Sequence, residues 1–347
     1  MTSLDEVRTA VARILAAGGY PDQAADLVAD SLVDAEARGI TSHGISRTRI
    51  YVDRVRAGLV DPLAEPSVDE GGRACRTVDA RNSPGQVAAE AAVAHVVEAA
   101  SRWGIAMVGV MNSNHCGALG YFLRRIAAAG HIGFAASNGP AAMTYYGARV
   151  KAVGTNPLGY AVPRSAAPPI VLDMATSVVA KGKIIQAAKN GQTEIPPDWA
   201  VDSEGRPATT PAAALAGAVV PFGGPKGSGL AMGIDLLCGA LLSGVIGSGV
   251  GDMYDDWTRT QRLGHIFIAV DPEAWTGRDK FAASVEAFVA EVRALPVAPG
   301  HERVLLPGEP EDQRLAVAAR DGLDLSPLTV ADLSSVAAEV GLGRNVL

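Results

Sequence analysis

The sequence predicts an α/β protein of the α+β kind, with a helical start and a centre in which strands and helices follow one another. Three observations predict it. Residues 1–58 carry capped, apolar-periodic helices. Residues 105–136 read as strand, polar elbow, helix, strand. The apolar runs 170–172 and 265–270 each empty into a polar turn, as buried strands do. A chain of 347 residues is long enough for two or more domains and a large core.

Taken in order, Ser3 and Glu6 have capping-box spacing before the first helix. Pro21 suits the first turn of a second helix, with Leu27, Val28, Leu32 and Ala35 on one face and Gly39 as its stop. Ser42 is placed to cap a third helix that runs to about Ala57 and stops at Gly58. Residues 59–82, with Pro62, Pro66, Gly71 and Gly72, read as a turn-rich crossing into a second domain. A long helix then runs from Asn82-Ser83-Pro84-Gly85 to Trp103-Gly104. The strand 105–110 leads into the elbow Asn112-Ser113-Asn114-His115-Cys116-Gly117. A helix follows over about 118–129, then Gly130 and a strand over 132–136.

Further on, Gly154-Thr155-Asn156-Pro157 is a polar turn between apolar runs. The strand 170–172 meets Asp173-Met174-Ala175-Thr176, and a helix containing Lys181-Gly182-Lys183 follows. Residues 190–222 read as loop. Gly223-Gly224-Pro225-Lys226-Gly227 opens a helix to about Leu242. A strand over 265–270, a helix over about 279–295, an apolar-to-turn edge at Leu306-Pro307-Gly308-Glu309 and a last helix over about 330–340 close the chain.

Composition narrows the function. The chain is 48% hydrophobic and 19% charged, ordinary for a folded protein, with net charge −7 and no basic block. Nucleic-acid binding is a poor fit, because neutralising phosphates takes clustered Lys and Arg. Cys75, Cys116 and Cys238 are odd in number and far apart, which suggests a reducing compartment and excludes a cysteine zinc cluster. The acidic, amphipathic N-terminus is not a signal peptide, so a cytoplasmic location is expected. The run 230–246 is broken by Gly233, Asp235, Gly239, Ser243 and Gly244, and reads as a buried helix rather than a membrane span.

Chemistry concentrates at two places. His43, Arg47 and Tyr51 stand four apart, so a continuous helix would project all three from one face. The arginine would hold a carboxylate while the histidine moves a proton; the plainer reading is a solvated basic face. His115 sits where the chain leaves a strand and a helix opens, a natural place for an anion or a reacting carbonyl. It also reads as an ordinary structural histidine beside a turn. Lys226 divides between meeting a phosphate and marking a plain helix entry. The six histidines lack metal-ligand spacing, there is no G-x-S-x-G elbow, and 224–229 lacks Walker spacing. Gly247, Gly249 and Gly251 fail as a dinucleotide fingerprint, because no strand feeds them. What remains fits hydride transfer with one proton donor and one carboxylate clamp.

Five segments carry a resemblance over nearly the whole chain: ARGITSHGISR (37–47), MNSNHCGALGYF (111–122), GTNPLGYAVP (154–163), DMATSVVAKGKI (173–184) and GPKGSGL (224–230). In this order they resemble the malate/L-lactate dehydrogenase family that lacks the Rossmann fold. Within it, the segments 195–211, 224–244 and 253–272 look most like the ureidoglycolate dehydrogenase branch. The resemblance implies a non-Rossmann nucleotide-binding domain, 71–299, with a mixed, largely antiparallel sheet. A helical, substrate-side and dimer region would comprise 1–70 and about 300–347. It further implies a homodimer that interconverts a 2-hydroxy and a 2-oxo acid with NAD or NADP, NAD being favoured.

By motif match the resemblance assigns catalysis to His115, His43 and Ser42. It assigns substrate binding to Arg47, Tyr51, Thr155, Lys181, Gly182 and Lys183. The cofactor would meet His115, Cys116, Gly117, Ala118, Leu119, Gly139, Asp173, Met174 and Ala175. Lys226, Gly227, Pro307, Gly308 and Glu309 would complete its binding. No metal is implied. His115 and His43 compete for the proton: the ureidoglycolate branch uses the histidine at 115, and the cyclic-imine reductases use the one at 43. Those reductases carry an aspartate where this chain has Lys183, which favours hydroxy-acid chemistry. Gly139 departs from the ureidoglycolate branch, which has a cofactor-contacting serine there. A reductase of a cyclic imine or diketo sugar acid, and a non-catalytic nicotinamide-binding protein, are the alternatives.

Overall fold

The structure is a computed structural model that describes residues 1–69, 74–343 and 347. The N-terminal helices are α1 (Leu4–Ala17), α2 (Asp22–Ala37) and α3 (Thr48–Arg56). Strands β1 (Ser67–Asp69) and β2 (Cys75–Asp79) lead to α4 (Gly85–Trp103), β3 (Ile105–Ser113), α5 (Leu119–Ala128) and β4 (Ile132–Ser137). Then come β5 (Leu158–Val162), β6 (Ile170–Met174), α6 (Lys181–Lys189), β7 (Ala200–Val201), α7 (Pro211–Ala216) and β8 (Ala218–Val219). The chain closes with α8 (Pro225–Cys238), β9 (Leu263–Val270), α9 (Arg278–Arg293), α10 (Glu309–Asp321) and α11 (Pro327–Glu339).

Seven strands form one sheet in the order β1-β2-β3-β9-β4-β5-β6. Among the described residues of this sheet only β2 and β3 pair in parallel; every other neighbouring pair is antiparallel. The period-2 pattern of a strand sorts its side chains. Val108, Val110, Phe267 and Ala269 enter the core under α4 and α5. Met107, Ile266 and Ile268 face α8 on the other side. A second core joins α1, α2 and α3 to α10 and α11 through Val11, Leu15, Leu32, Ile45, Leu333 and Val336. A third gathers Val179, Ile184, Ala214 and Val219 around α6, α7, β7 and β8. Ion pairs tie the helical layer to the sheet layer: Arg124 of α5 meets Asp34 of α2 at 2.6 Å.

Ser3 and Glu6 form the expected capping box. The third helix differs: it starts at Thr48, and Ser42 caps nothing. Two short 3-10 turns, Thr41–His43 and Ile45–Arg47, precede it, separated by Gly44 in extended backbone (φ −89°, ψ −156°). Residues 59–82 hold two strands, and the sheet begins at Ser67, ahead of the boundary read at 70. Gly71 and Gly72 lie outside the described residues. The alternation in β2 is masked because Arg76, not an apolar residue, takes an inward position and pairs with Glu98 at 2.5 Å. The strand before the elbow extends to Ser113 through a bulge, so Asn112 and Ser113 belong to it. The 190–222 stretch contains α7, β7 and β8, too short to show a period. Helix α10 begins at Glu309, inside the turn that the sequence marks, and α11 starts earlier than expected.

The apolar run 230–246 is buried on one face only: Ala231, Ile234 and Cys238 are covered, and the opposite face is open. Helix α8 ends at Cys238, and Leu230, Met232, Leu236, Leu237, Leu241 and Ile246 are all exposed. Among the described residues no helix is long and apolar enough to cross a membrane.

Candidate active site

Strand β3 delivers the elbow. Asn112 takes a left-handed conformation (φ 54°), which asparagine tolerates well, and its Nδ2 donates to Asp79 Oδ1 at 3.0 Å. Asn114 Nδ2 donates to Asn82 O, Asn82 Oδ1 and Ser83 O at 2.9–3.1 Å. The start of α4 lies so close that a Cβ at Gly85 would stand 2.1 Å from Asn114 O. Gln261 Oε1 accepts the His115 backbone N–H at 3.0 Å. Beneath the elbow, His265 Nε2 lies 3.2 Å from Asn114 O and Nδ1 lies 2.8 Å from Ser137 Oγ. A carbonyl only accepts, so Nε2 carries the proton. Burial pushes His265 down to about 4, which keeps it a neutral clamp.

The His115 ring is held from behind. Its Nδ1 lies 2.7 Å from Tyr51 Oη and 3.3 Å from the Gly117 backbone N. A backbone N–H can only donate, so Nδ1 is the lone-pair nitrogen and Nε2 carries the proton. Tyr51 therefore donates to His115 and accepts from Gln86 Nε2 at 3.2 Å. The His43 ring stacks on His115 with centroids 5.3 Å apart, and Ser42 Oγ sits 2.9 Å from His43 Nδ1. Both rings are enclosed but keep part of their surface open to solvent. Burial, then the Arg47 charge, pushes His43 down to about 3 and His115 well below its usual value. Both are neutral near pH 7. Burial holds the Tyr51 hydroxyl above its usual range.

Arg47 Nε donates to Ser42 O at 2.7 Å, and Nη1 reaches Met253 Sδ and the Tyr254 hydroxyl. Its guanidinium also lies over the Tyr254 ring. Among the described residues it forms no ion pair, whereas Arg38, Arg49 and Arg124 each meet carboxylates. Helical spacing is not what gathers His43, Arg47 and Tyr51: two short turns and the start of α3 do. Glu36 of α2 braces the break, its Oε2 accepting the Ile45 N–H at 3.1 Å. A Cβ at Gly44 would overlap that oxygen at 2.0 Å. Burial pushes Glu36 up to about 7.

The other predicted positions are spread around this centre. Gly182 packs on the Ser42 side chain, so the start of α6 abuts the Ser42–His43 turn. Lys181 Nζ lies 3.9 Å from Asp252, and Lys183 is exposed. Thr155 O accepts from Thr176 N, and Asn156 Oδ1 accepts from Gly139 N at 3.0 Å. A Cβ at Gly139 would meet nothing nearer than 4.0 Å. The α5 N-terminus, expected to be open to an anion, is taken by the protein's own carboxylate: Asp173 Oδ2 accepts Gly120 N–H at 2.8 Å. Burial raises the Asp173 pKa and lifts the Cys116 thiol to about 12. Ala118 is the N-cap of α5 and Leu119 its first residue, both buried, and Met174 and Ala175 follow Asp173 at the end of edge strand β6. Pro307 O accepts from Val171 N on that strand, Gly308 packs against Val171, and Glu309 Oε2 accepts from Leu306 N. At α8, Gly227 N is bonded to Phe222 O, so the exposed Lys226 ammonium, which has no ion pair among the described residues, is what that turn offers. No hydrogen bond, ion pair or ring contact among the described residues links Thr155, Gly139, Lys226 or the 307–309 turn to the histidine pair.

Gln86, Gln261, His265, Glu36, Met253 and Tyr254 were not legible as site residues. Each acts through a partner distant in sequence, so no local spacing reveals it. A neutral imidazole pair has the chemistry to move a proton, and a guanidinium with no ion pair among the described residues has the chemistry to hold a carboxylate. The family model described as malate/L-lactate dehydrogenase matches residues 2–334. The chain is 36% identical to the ureidoglycolate dehydrogenase (NAD(+)) of Escherichia coli K12, over 90% of this chain and 88% of the relative. It is 36% identical to the (2R)-3-sulfolactate dehydrogenase (NADP(+)) of Chromohalobacter salexigens, over 83% and 85%. The solved sulfolactate dehydrogenase of Methanocaldococcus jannaschii superposes with a TM-score of 0.90 at 32% identity, over 99% and 98%. The chain belongs to the malate/L-lactate dehydrogenase family, and is an NAD(P)-dependent oxidoreductase of 2-hydroxy acids.

Proposed function

We propose that the protein interconverts a short 2-hydroxy acid of the malate, lactate, sulfolactate or ureidoglycolate type with its 2-oxo acid, using NAD ahead of NADP. The observation that carries this reading is Arg47, an arginine without an acidic partner among the described residues, beside the stacked histidines. Its guanidinium pairs with the substrate carboxylate. His115 Nε2–H hydrogen-bonds the 2-oxygen, gives it the proton in reduction and recovers it in oxidation. Ser42 orients His43, which stacks on His115 and keeps water from that face. Gly182, Lys181 and Lys183 close the substrate side, with Thr155 further along.

The nicotinamide supplies or accepts the hydride. The residues fit such a group: the exposed Lys226 ammonium, without an ion pair among the described residues, can meet a phosphate, and the space at Gly139 admits a ligand close to the backbone. The Cys116-to-Leu119 turn, Asp173 to Ala175 and the 307–309 turn complete its binding. The test is oxidation of NADH and of NADPH with pyruvate, oxaloacetate, sulfopyruvate, diketogulonate and a cyclic imine, with ureidoglycolate run in the oxidative direction. Turnover of one hydroxy-acid pair, abolished by His115→Ala and only weakened by His43→Ala, supports the reading. Reduction of the imine alone, or loss confined to His43→Ala, refutes it. Lys183, standing where the cyclic-imine reductases carry an aspartate, supports hydroxy-acid over imine chemistry.

The exposed face of α8, with Ile105 and Phe134 exposed on the same side of the sheet, supports a homodimer built on that surface. Light scattering that gives a monomer mass would refute it. Three cysteines without a disulfide support a reducing, cytoplasmic setting.

A further inference from the structure

Beside His115, with Tyr51 against the ring nitrogen Nδ1, a small cavity is walled by Tyr51, Gln86 and His115, and by Arg54, Asn114 and Gln261. Its central space is about the size of one water. Three buried side-chain atoms on its walls have no hydrogen-bond partner among the described residues: Arg54 Nε, Asn114 Oδ1 and Gln261 Nε2. Their residues are 2%, 3% and 2% exposed. None of the three can turn away to find a partner. Gln261 Oε1 is held by the His115 backbone, Asn114 Nδ2 by residues 82 and 83, and the Arg54 terminal nitrogens by the carbonyls of Asp256 and Arg259.

We propose that this cavity holds one internal water, and that the water is the outer end of a proton relay running through Tyr51 to His115. The valences match. Arg54 Nε–H and Gln261 Nε2–H donate to the water oxygen, and one water hydrogen goes to Asn114 Oδ1. The second hydrogen goes to the Tyr51 oxygen, which already accepts from Gln86 and donates to His115 Nδ1. In reduction, hydride reaches C2 and the His115 Nε2 proton passes to the 2-oxygen. The Tyr51 proton moves to Nδ1, and a water proton moves to Tyr51. The hydroxide left behind sits against the Arg54 cation until solvent returns a proton. Histidine thus never holds the imidazolium charge that its enclosure and Arg47 disfavour. Arg54, Asn114 and Gln261 are positioning residues in this scheme.

The inference rests on His115 as the acid/base group, and the tests separate the two. A high-resolution crystal structure is expected to show one water within hydrogen-bonding distance of all three atoms. An empty cavity, or the three side chains bonded to one another, overturns the proposal without touching the role of His115. Single-turnover reduction of the 2-oxo acid that turns over, in H2O–D2O mixtures, is expected to give a bowed dependence of rate on deuterium fraction. Tyr51→Phe should make it linear. Arg54→Lys, which keeps the cation and removes Nε, should lower kcat about tenfold at unchanged KM and also straighten the plot. A linear plot in the wild type, or a bowed one that survives Tyr51→Phe, overturns the relay. Full turnover in His115→Ala instead overturns the underlying reading.

Discussion

Glu36→Gln is expected to stabilise the protein at pH 8 and not at pH 4.5. The Glu36 carboxylate is pressed against the backbone between His43 and Arg47, accepting only the Ile45 N–H at 3.1 Å. Burial outweighs that bond and lifts its pKa from 4.5 to about 7. The folded state therefore binds more protons than the unfolded one between these values. Stability from protonated Glu36 is fully present below pH 4.5 and is lost as pH rises through about 7. The full loss is about 3 kcal/mol, reduced toward about 1–2 because the side chain is partly open to solvent. Glutamine is neutral at every pH and keeps an oxygen for Ile45. The assay is urea unfolding of both proteins at pH 4.5 and 8, at one protein concentration because association adds to apparent stability. The difference between the two proteins cancels every other titration. A variant no more stable at pH 8, or a difference independent of pH, would refute the reasoning.

The histidines act in the opposite sense. His43 and His115 are neutral when folded and titrate near 6.5 when unfolded, so stability is present above pH 6.5 and is lost as pH falls below it, down to about 3 for His43. Glutamine at position 43 should flatten that acid limb in the same urea assay. Arg47→Lys keeps the charge but loses the planar fork, and should cost about 2 kcal/mol, roughly 30-fold in kcat/KM, mainly through KM for the 2-oxo acid. Thermal unfolding of that variant should match the wild type within a few degrees. Gly139→Ser has room for its side chain; one added hydrogen bond to the cofactor should lower its KM about threefold to tenfold at unchanged stability. An unchanged KM would place Gly139 away from the cofactor.

Much of the fold was legible because its signals are local. The capping box at Ser3, the stop at Gly104 and the apolar run of β9 each depend on a few neighbouring residues. The misses were also physical. Ser42 reads as a helix cap until Glu36, from another helix, is seen to brace the break at Gly44. The 230–246 run reads as wholly buried because apolarity alone does not record which of its positions pack on the sheet and which face outward.

The sequence by itself determined the family, through five ordered segments, and with it a mixed sheet and hydroxy-acid chemistry. It also determined where the chain turns, since capping and glycine stops act over a few residues. Only the tertiary structure decided what those turns are for. Tyr51 and His115 meet across 64 residues, Gln261 holds His115 from the far side of the chain, and Asp173 fills a helix end that reads as vacant. Proton position and charge depend on such neighbours within a few ångströms, and chain spacing does not record them.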